Sequence, residues 1–312
     1  MTGMNVPTRR LAVIILTYNE EANLAQALSS VAGWSAETFV LDSLSTDRTL
    51  AIANQYDCHV VQHRFENYAA QRNFALEHLP IRSEWIFFLD ADEWLSERLK
   101  REITDLIAKA PPENGFYVNR RFIWLGRWIR RGYYPSWILR LFRHHRGRCE
   151  DRAVNEQIIV EGATGYLAND LIHEDRRGIG DWIVKHNGYA SREALGLLRT
   201  MPDSSYREAD AQLFGPQAGR KRWIRQRVWN RLPPLVRPAG YFFYRYVLRF
   251  GFLDGLPAFT FHFLQALWYP MLIDIKYLEL RRTADHHRCD ASFPRERPDI
   301  AVGEGVGREQ GR

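Results

Sequence analysis

At 312 residues, with 46% hydrophobic and 26% charged side chains, the chain can hold one large core domain, alone or with a smaller appendage. That composition excludes wholesale disorder and a polytopic membrane protein. A formal charge of +6 suits an anionic partner, whether nucleic acid, a phosphate-bearing substrate or an acidic membrane surface. Cys58, Cys149 and Cys289 lie without CxxC spacing, which argues against a disulfide framework or a zinc cluster and for a reducing compartment. Arg9 and Arg10 lead into only a short apolar run, so no signal peptide is expected and the globular part is expected in the cytoplasm.

Leu11 to Leu16 (LAVIIL) is an unbroken aliphatic run, expected as a parallel strand buried on both faces. Leu24, Leu28 and Val31 at helical spacing predict a helix over Glu20 to Ala32. The alternation repeats with a strand at Phe39 to Leu41, a helix from Thr46 to Gln55, a strand at Val60 and Val61, a helix at Tyr68 to Leu79 and a strand at Trp85 to Leu89. Such a rhythm implies right-handed crossovers and a mostly parallel α/β sheet. Ligands bind beyond the carboxyl ends of such strands, which gathers Thr17, Asn19, Asp42, Asp90 and Asp92 at one crevice.

After Pro111 and Pro112, aromatic and Arg-rich segments (GFYVNRRFIWL, SWILRLFRHH, NEQIIVEG) are expected as further strands and loops covering the crevice. Gly178 to Leu198 reads as a helix, and residues 201–231 as a basic linker or amphipathic arm. Gly240 to Leu280 is aromatic and apolar, edged by Arg245, Arg249, Arg281 and Arg282. The expected organisation is a core domain over 1–200, a basic, aromatic helical region over 201–284 and a disordered tail over 285–312.

Residues two apart in an extended chain point the same way, so Asp90 and Asp92 can present both carboxylates to one ligand. Hard oxygen ligands of this kind suit Mg or Mn. A solvated turn or helix cap would also use such a pair. Context favours the cation, because the pair closes an apolar strand in a sheet whose other strand ends carry polar residues.

The runs ILTYNEEANL (Ile15 to Leu24), FVLDSLSTDRT (Phe39 to Thr49), YAAQRNFAL (Tyr68 to Leu76) and WIFFLDADEWL (Trp85 to Leu95) resemble, in order and spacing, glycosyltransferase family 2 enzymes of the GT-A fold. The likeness continues more loosely through EDRAVNE and LIHED to Asp175. It implies a Rossmann-like, mostly parallel sheet with helices on both faces. It also implies that Thr17, Tyr18, Asn19 and Glu20 lie against the nucleotide base and ribose, and that Asp42 bonds the uracil, although a helix cap is the other reading of Asp42. Gln71, Arg72 and Asn73 match a helix approaching the nucleotide, with Arg72 placed to meet it or a phosphate. Asp90 matches a ribose contact or a water-mediated metal contact, and Asp92 the direct metal ligand. A late histidine of such enzymes often joins the metal, which points to His173, although a lone histidine is more often structural.

An inverting transfer needs a carboxylate to deprotonate the attacking hydroxyl. The resemblance makes Glu156 that base, with Asp151 the next candidate. Asn155 departs from the histidine that often precedes the base, which puts the assignment of Glu156 in doubt. Leu256 to Ile275 is about long enough to span a bilayer, but His262, Gln265, Asp274, Pro257 and Pro270 interrupt it. With Tyr241 to Arg249 it better suits a headgroup interface, its arginines toward anionic lipid; a soluble docking face is the bland alternative. GFLDG (Gly251 to Gly255) and its flanks are similar to the tail of lipopolysaccharide-core glucosyltransferases of the family. The expected activity is therefore transfer of a hexose, glucose first, from a UDP-sugar to a lipid-linked glycan at the cytoplasmic face of the inner membrane. A polyprenyl-phosphate or a polysaccharide repeat unit is the alternative acceptor. The Arg and aromatic run RRFIWLGRWIRRGYY would also suit a nucleic-acid-binding module, but that reading leaves the four motifs without a role, and no nucleic acid is expected.

Overall fold

The computed structural model describes residues 10–150, 157–199 and 232–292. Strands β1 (Leu11–Thr17), β2 (Glu37–Asp42), β3 (His59–Gln62) and β4 (Trp85–Asp90) form the parallel half of a sheet. Strands β5 (Glu93–Leu95), β6 (Gly115–Trp124), β7 (Arg127–Trp128), β8 (Trp137–Arg143) and β11 (Thr164–His173) form the other half, and β9 (Gly147–Cys149) and β10 (Ile158–Val160) make a separate hairpin. The main path runs β3-β2-β1-β4-β8-β6-β11-β5, with β7 paired to β6.

The sheet is mixed rather than mostly parallel. β8 runs antiparallel to both β4 and β6, and β5 antiparallel to β11, while β6 and β11 are parallel. Of the segments after Pro111 expected as strands and loops over the crevice, GFYVNRRFIWL and SWILRLFRHH extend the sheet beside β4, NEQIIVEG supplies β10 of the separate hairpin, and residues of all three line the cleft.

Helices cover both faces, as the resemblance implies. On one face, α1 (Leu24–Val31), α2 (Thr49–Ala53) and α4 (Glu97–Ala108) pack Leu24, Leu28, Ala53, Leu99 and Ile103 against Val13, Ile15 and Phe87. On the other, α3 (Tyr68–His78) sets Ala75 against Ile14, Ile86 and Phe88. Leu11 to Ile15 of LAVIIL are fully buried because they feed both cores, even positions to one and odd positions to the other, while Leu16 is half-buried at the cleft. α1 starts later than expected, since residues 20–23 form turns that carry the first loop of the crevice.

Helix α5 (Ile179–Arg199) leads to the segment 200–231, so the expected linker lies outside the described residues. The chain resumes in α6 (Val236–Phe243), α7 (Gly255–His262) and α8 (Tyr269–Ser292), with π-helical turns at Tyr244–Leu248 and Phe263–Trp268. α8 continues past Asp285, where a disordered tail was expected; residues 293–312 lie outside the described part.

These helices are docked on the core. Trp124, Ile129 and Trp182 pack with Ala258 and Phe261, and Trp124 Nε1 donates to Thr260 Oγ1 at 3.0 Å. Tyr269 donates to Glu193 at 2.9 Å, and Lys276 Nζ donates to Ser191 at 2.6 Å. Buried Asp254, within GFLDG, accepts the Arg130 and Arg131 backbone N–H groups, both at 2.7 Å, and Arg131 Nη1 at 2.9 Å. Among the described residues no helix is long and apolar enough to cross a membrane.

Asp254 clamps the β7 region to the helical extension, and its loss leaves buried donors unsatisfied. Asp254→Ala is expected to lower unfolding stability by roughly 2–3 kcal/mol in urea titration. An Asp254→Ala midpoint equal to that of the native protein would contradict the clamp.

Candidate active site

A cleft of about 650 Å³ opens at the carboxyl ends of β1 and β4, between the sheet, α3, α5 and the first part of the helical extension. Asp90 ends β4, Asp92 precedes β5, and His173 ends β11 beside Glu93 in the β11–β5 ladder. Two segments distant in sequence, the β4–β5 junction and the end of β11, thus meet at one edge.

The arginine that organises this edge sits on β8. The β6–β8 ladder pairs Phe116 with Leu141 and then Tyr117 with Leu139, so Arg140 is a bulge residue without a partner across the ladder. A bulge re-aims its side chain. Arg140 Nη2 reaches Glu93 Oε1 and Oε2 at 3.0 and 2.9 Å and closes a short contact with Asp90 Oδ2. Arg72 Nη2 approaches Asp90 Oδ1 at 3.4 Å, Arg120 lies 3.8 Å from Glu93, and the Asp90 N–H donates to Glu93 Oε2. Burial alone would raise the Asp90 pKa, but Arg140 and then Arg72 more than offset it and hold the carboxyl well below the usual range. The same balance of burial against Arg140 keeps Glu93 low. Both acids are therefore ionised and committed to arginine.

Asp92 is different. Among the described residues no guanidinium lies within ion-pair distance of it, and His173 Nδ1 stands 3.6 Å from Asp92 Oδ1 and 3.7 Å from Glu93 Oε1. That ring nitrogen is buried and lacks a hydrogen-bond partner, and the ring stacks on Phe122 at 4.7 Å. A buried unpaired nitrogen beside a carboxylate suits a divalent cation held between them. The described residues contain no cluster of three His, Cys, Asp or Glu side chains able to hold a metal, so such a cation would take its remaining ligands from phosphate oxygens and water.

The loop after β1 is locked to the loop after β2. Asn19, in the left-handed region at φ 52°, accepts the Thr46 N–H at 2.8 Å, and its own N–H donates to Ser45 Oγ at 2.9 Å. The Glu20 N–H donates to Thr49 Oγ1, and Asp47 accepts from the Glu21 and Thr49 N–H groups. Tyr18 is left exposed at the rim. Asp42 is fully buried at 0% exposure and accepts from Thr17, from Ser45 N and Oγ and from Gln62. It ties the loop ahead of α2 without capping that helix, whose N-cap is Arg48, and any contact with a base requires exchange of one of these bonds. Gln71 and Asn73 are likewise structural, bonded to Ser43 and to the Cys149 backbone; of that helix motif, Arg72 turns to the cleft.

Glu20 faces the cleft, paired with Arg177 Nη1 at 2.9 Å. Arg177 also binds Asp175, and Asn23 bridges Glu20 and Asp175. Burial, then the Asp92 carboxylate, push the Glu20 pKa up to about 7 against the pull of Arg177. Lys185 of α5 lines the same space; burial lowers its pKa, but Asp92 first among the nearby charges keeps it raised. Asp151 and Glu156 lie outside the described residues. The Glu150 N–H donates to the Gln157 carbonyl at 2.9 Å, and Gln157 lines the cleft.

Arg140, Glu93, Arg177 and Lys185 were not expected from sequence. A readable signal existed for Glu93 in the third acid of DADEWL, and for Arg140 in a charge inside the apolar strand SWILRLF. Nothing local marks Arg177 or Lys185 among the chain's many basic residues.

The sequence model of Glycosyl transferase family 2 matches residues 12–164. The lipopolysaccharide core biosynthesis glycosyltransferase LpsC of Rhizobium meliloti (strain 1021) is 31% identical over 201 residues, which span 61% of this chain and 72% of that relative. An uncharacterized glycosyltransferase of Rickettsia felis is 40% identical over 99 residues, and the match spans 32% of this chain and 34% of the relative's length. Among solved structures, the mannosyltransferase PcManGT of Pyrobaculum calidifontis, in complex with GDP-Man and Mn2+, aligns with a TM-score of 0.49 at 17% identity over 86% of this chain and 87% of that one.

Arg140→Met would strand the buried Glu93 carboxylate and leave half-buried Asp90 with Arg72 alone, and a loss of roughly 3–5 kcal/mol is expected in denaturant unfolding. A loss below about 1 kcal/mol would show that Arg140 is not the organising charge. Glu20 gives a pH signature. Its folded pKa of about 7 lies above its ordinary 4.5, so its contribution is fully present below 4.5 and is lost as pH rises through about 7. Glu20→Gln removes that dependence. Metal-free variant and native protein, unfolded at a series of pH values, should diverge in the variant's favour by up to roughly 3 kcal/mol across this window. Parallel curves would count against a buried, uncompensated Glu20.

Proposed function

The chain belongs to glycosyltransferase family 2 and is a glycosyltransferase, and from that premise we propose an inverting, divalent-cation-dependent transfer of a hexose, glucose first, from a UDP-sugar to a lipid-linked glycan such as a lipopolysaccharide core. The observation that carries this reading is the pairing of Asp92 with the unpartnered His173 Nδ1 at the cleft, beside an Asp90 held ionised by two arginines.

Asp92 and His173 are the residues to hold Mg or Mn. The cation, when bound, offsets the negative charge that builds on the departing diphosphate. Arg140 keeps Asp90 anionic and fixed, so Asp90 can accept from a ribose hydroxyl without taking up a proton. Thr17 to Glu20 and Asp42 form the base and ribose side, and Arg72 meets a phosphate. Glu156, or else Asp151, removes the proton from the acceptor hydroxyl as its oxygen bonds to the anomeric carbon and the bond to UDP breaks. Glu20, with a pKa near neutrality, is a second cleft carboxyl able to hold a proton.

A lipid-linked acceptor is supported by the LpsC likeness and by the outer side of the helical extension. Phe243, Leu248, Phe250, Phe252, Leu253 and Leu256 are exposed there beside exposed Arg249, a composition suited to a peripheral or monotopic position on anionic lipid at the cytoplasmic face of the inner membrane. Phe261 and Gln265, on the inner side of the same extension, line the cleft. Transfer to a polyprenyl-phosphate would use the same surface.

The test is UDP release from a panel of UDP-sugars with Mg or Mn, with and without membrane lipid extract. One UDP-sugar should give lipid-dependent, EDTA-sensitive release, and Asp92→Asn should cut it by about 100-fold or more. Release that survives EDTA, or Asp92→Asn at native rate, would remove the cation from the mechanism.

A further inference from the structure

The half of the cleft away from the β1 and β2 loops carries an aromatic cluster that none of the assignments above uses. Tyr117 of β6 and Tyr166 of β11 are cross-strand neighbours, stacked with centroids 5.2 Å apart at 23°. Trp137, which opens β8, meets Tyr166 edge to face at 5.0 Å and 81°. All three line the cleft, and Tyr166 is 55% exposed inside a cavity whose other walls bear charge. A tyrosine ring exposed in this way is not needed to close a core, since Phe116, Leu141 and Leu167 already do so on the opposite face.

The sheet order gives the cluster its side. β8, β6 and β11 lie across β4 from β1 and β2, so Asp90, at the end of β4, stands between the cluster and the loops that resemble nucleotide contacts. Gln157 and Ile158, which directly follow the stretch carrying Asp151 and Glu156, line the cleft with it. An acceptor must approach on this side, opposite the leaving diphosphate.

We propose that Tyr166, Trp137 and Tyr117 form a stacking subsite for a sugar ring of the acceptor. The C–H face of a pyranose carries partial positive charge and packs on the electron-rich face of an aromatic ring, while the phenol oxygens remain free to meet ring hydroxyls. Stacked rings at fixed angles are rigid and lose little entropy on binding. The inference rests on the reading that the acceptor is a glycan, and its test is separate from turnover.

Saturation-transfer NMR on the full chain, with methyl glycosides of glucose, mannose and heptose and a deacylated core oligosaccharide as probes, reads the subsite directly. UDP with Mg reports the donor side. The ring C–H protons of at least one probe should receive saturation. Tyr166→Ser and Trp137→Leu should each weaken its binding by about tenfold. Tyr166→Phe keeps the ring and should retain most of the binding that Tyr166→Ser loses, which separates stacking from a fold defect. The proposal is overturned if no saccharide probe is saturated while UDP binds, if Tyr166→Ser binds the probes as the native chain does, or if Tyr166→Ser loses UDP instead, since the ring then serves the base. Saccharide binding without UDP binding would leave the subsite standing and remove the donor reading.

Discussion

Everything at the catalytic edge depends on one buried guanidinium. Two acids, Asp90 and Glu93, are drawn together where β4 ends and β5 begins, and Glu93 has no access to water. Unpaired, each would be forced toward its neutral form. Arg140 answers both at once, and it can do so because the β8 bulge turns it toward them. The antiparallel half of the sheet is thus part of the chemistry. A sheet continued in parallel beyond β4 would need a crossover where β8 now delivers its arginine.

With Asp90 and Glu93 committed to Arg140, Asp92 is the acid of the motif without a guanidinium partner among the described residues, and His173 stands beside it with a buried nitrogen that makes no hydrogen bond. Three adjacent acids share neither environment nor role. Their difference is set by neighbours from β8, α3 and β11, as is usual where function needs charges of distinct character.

The helical extension does two things with one set of residues. Phe261 is buried against Trp124 and Trp182 and so completes a core, while Phe250, Phe252 and Leu256 remain outside. Asp254 joins the two by fastening the extension to the backbone of Arg130 and Arg131. The extension was readable in sequence as aromatic and basic, yet its periodicity could not separate residues that face the core from those that face outward, because both sets are apolar.

From sequence alone, the strand and helix alternation through Asp90, the crevice at the strand ends and the family were legible, since each rests on local patterns: aliphatic runs for β1 and β4, helical spacing in α1, and four motifs in order. Glu20, Asp90, Asp92 and His173 line one cleft, whereas Thr17 and Asn19 are spent on bonds between the loops after β1 and β2. The antiparallel pairing of β8 was not legible, because its alternation suits either direction of pairing. Nor was the division of labour among Asp42, Asp90, Asp92 and Glu93. A carboxylate's character depends on which guanidinium, amide or ring nitrogen lies within about 4 Å of it, and those partners, Arg140, Ser45 and His173, come from chain positions whose approach only the folded sheet decides.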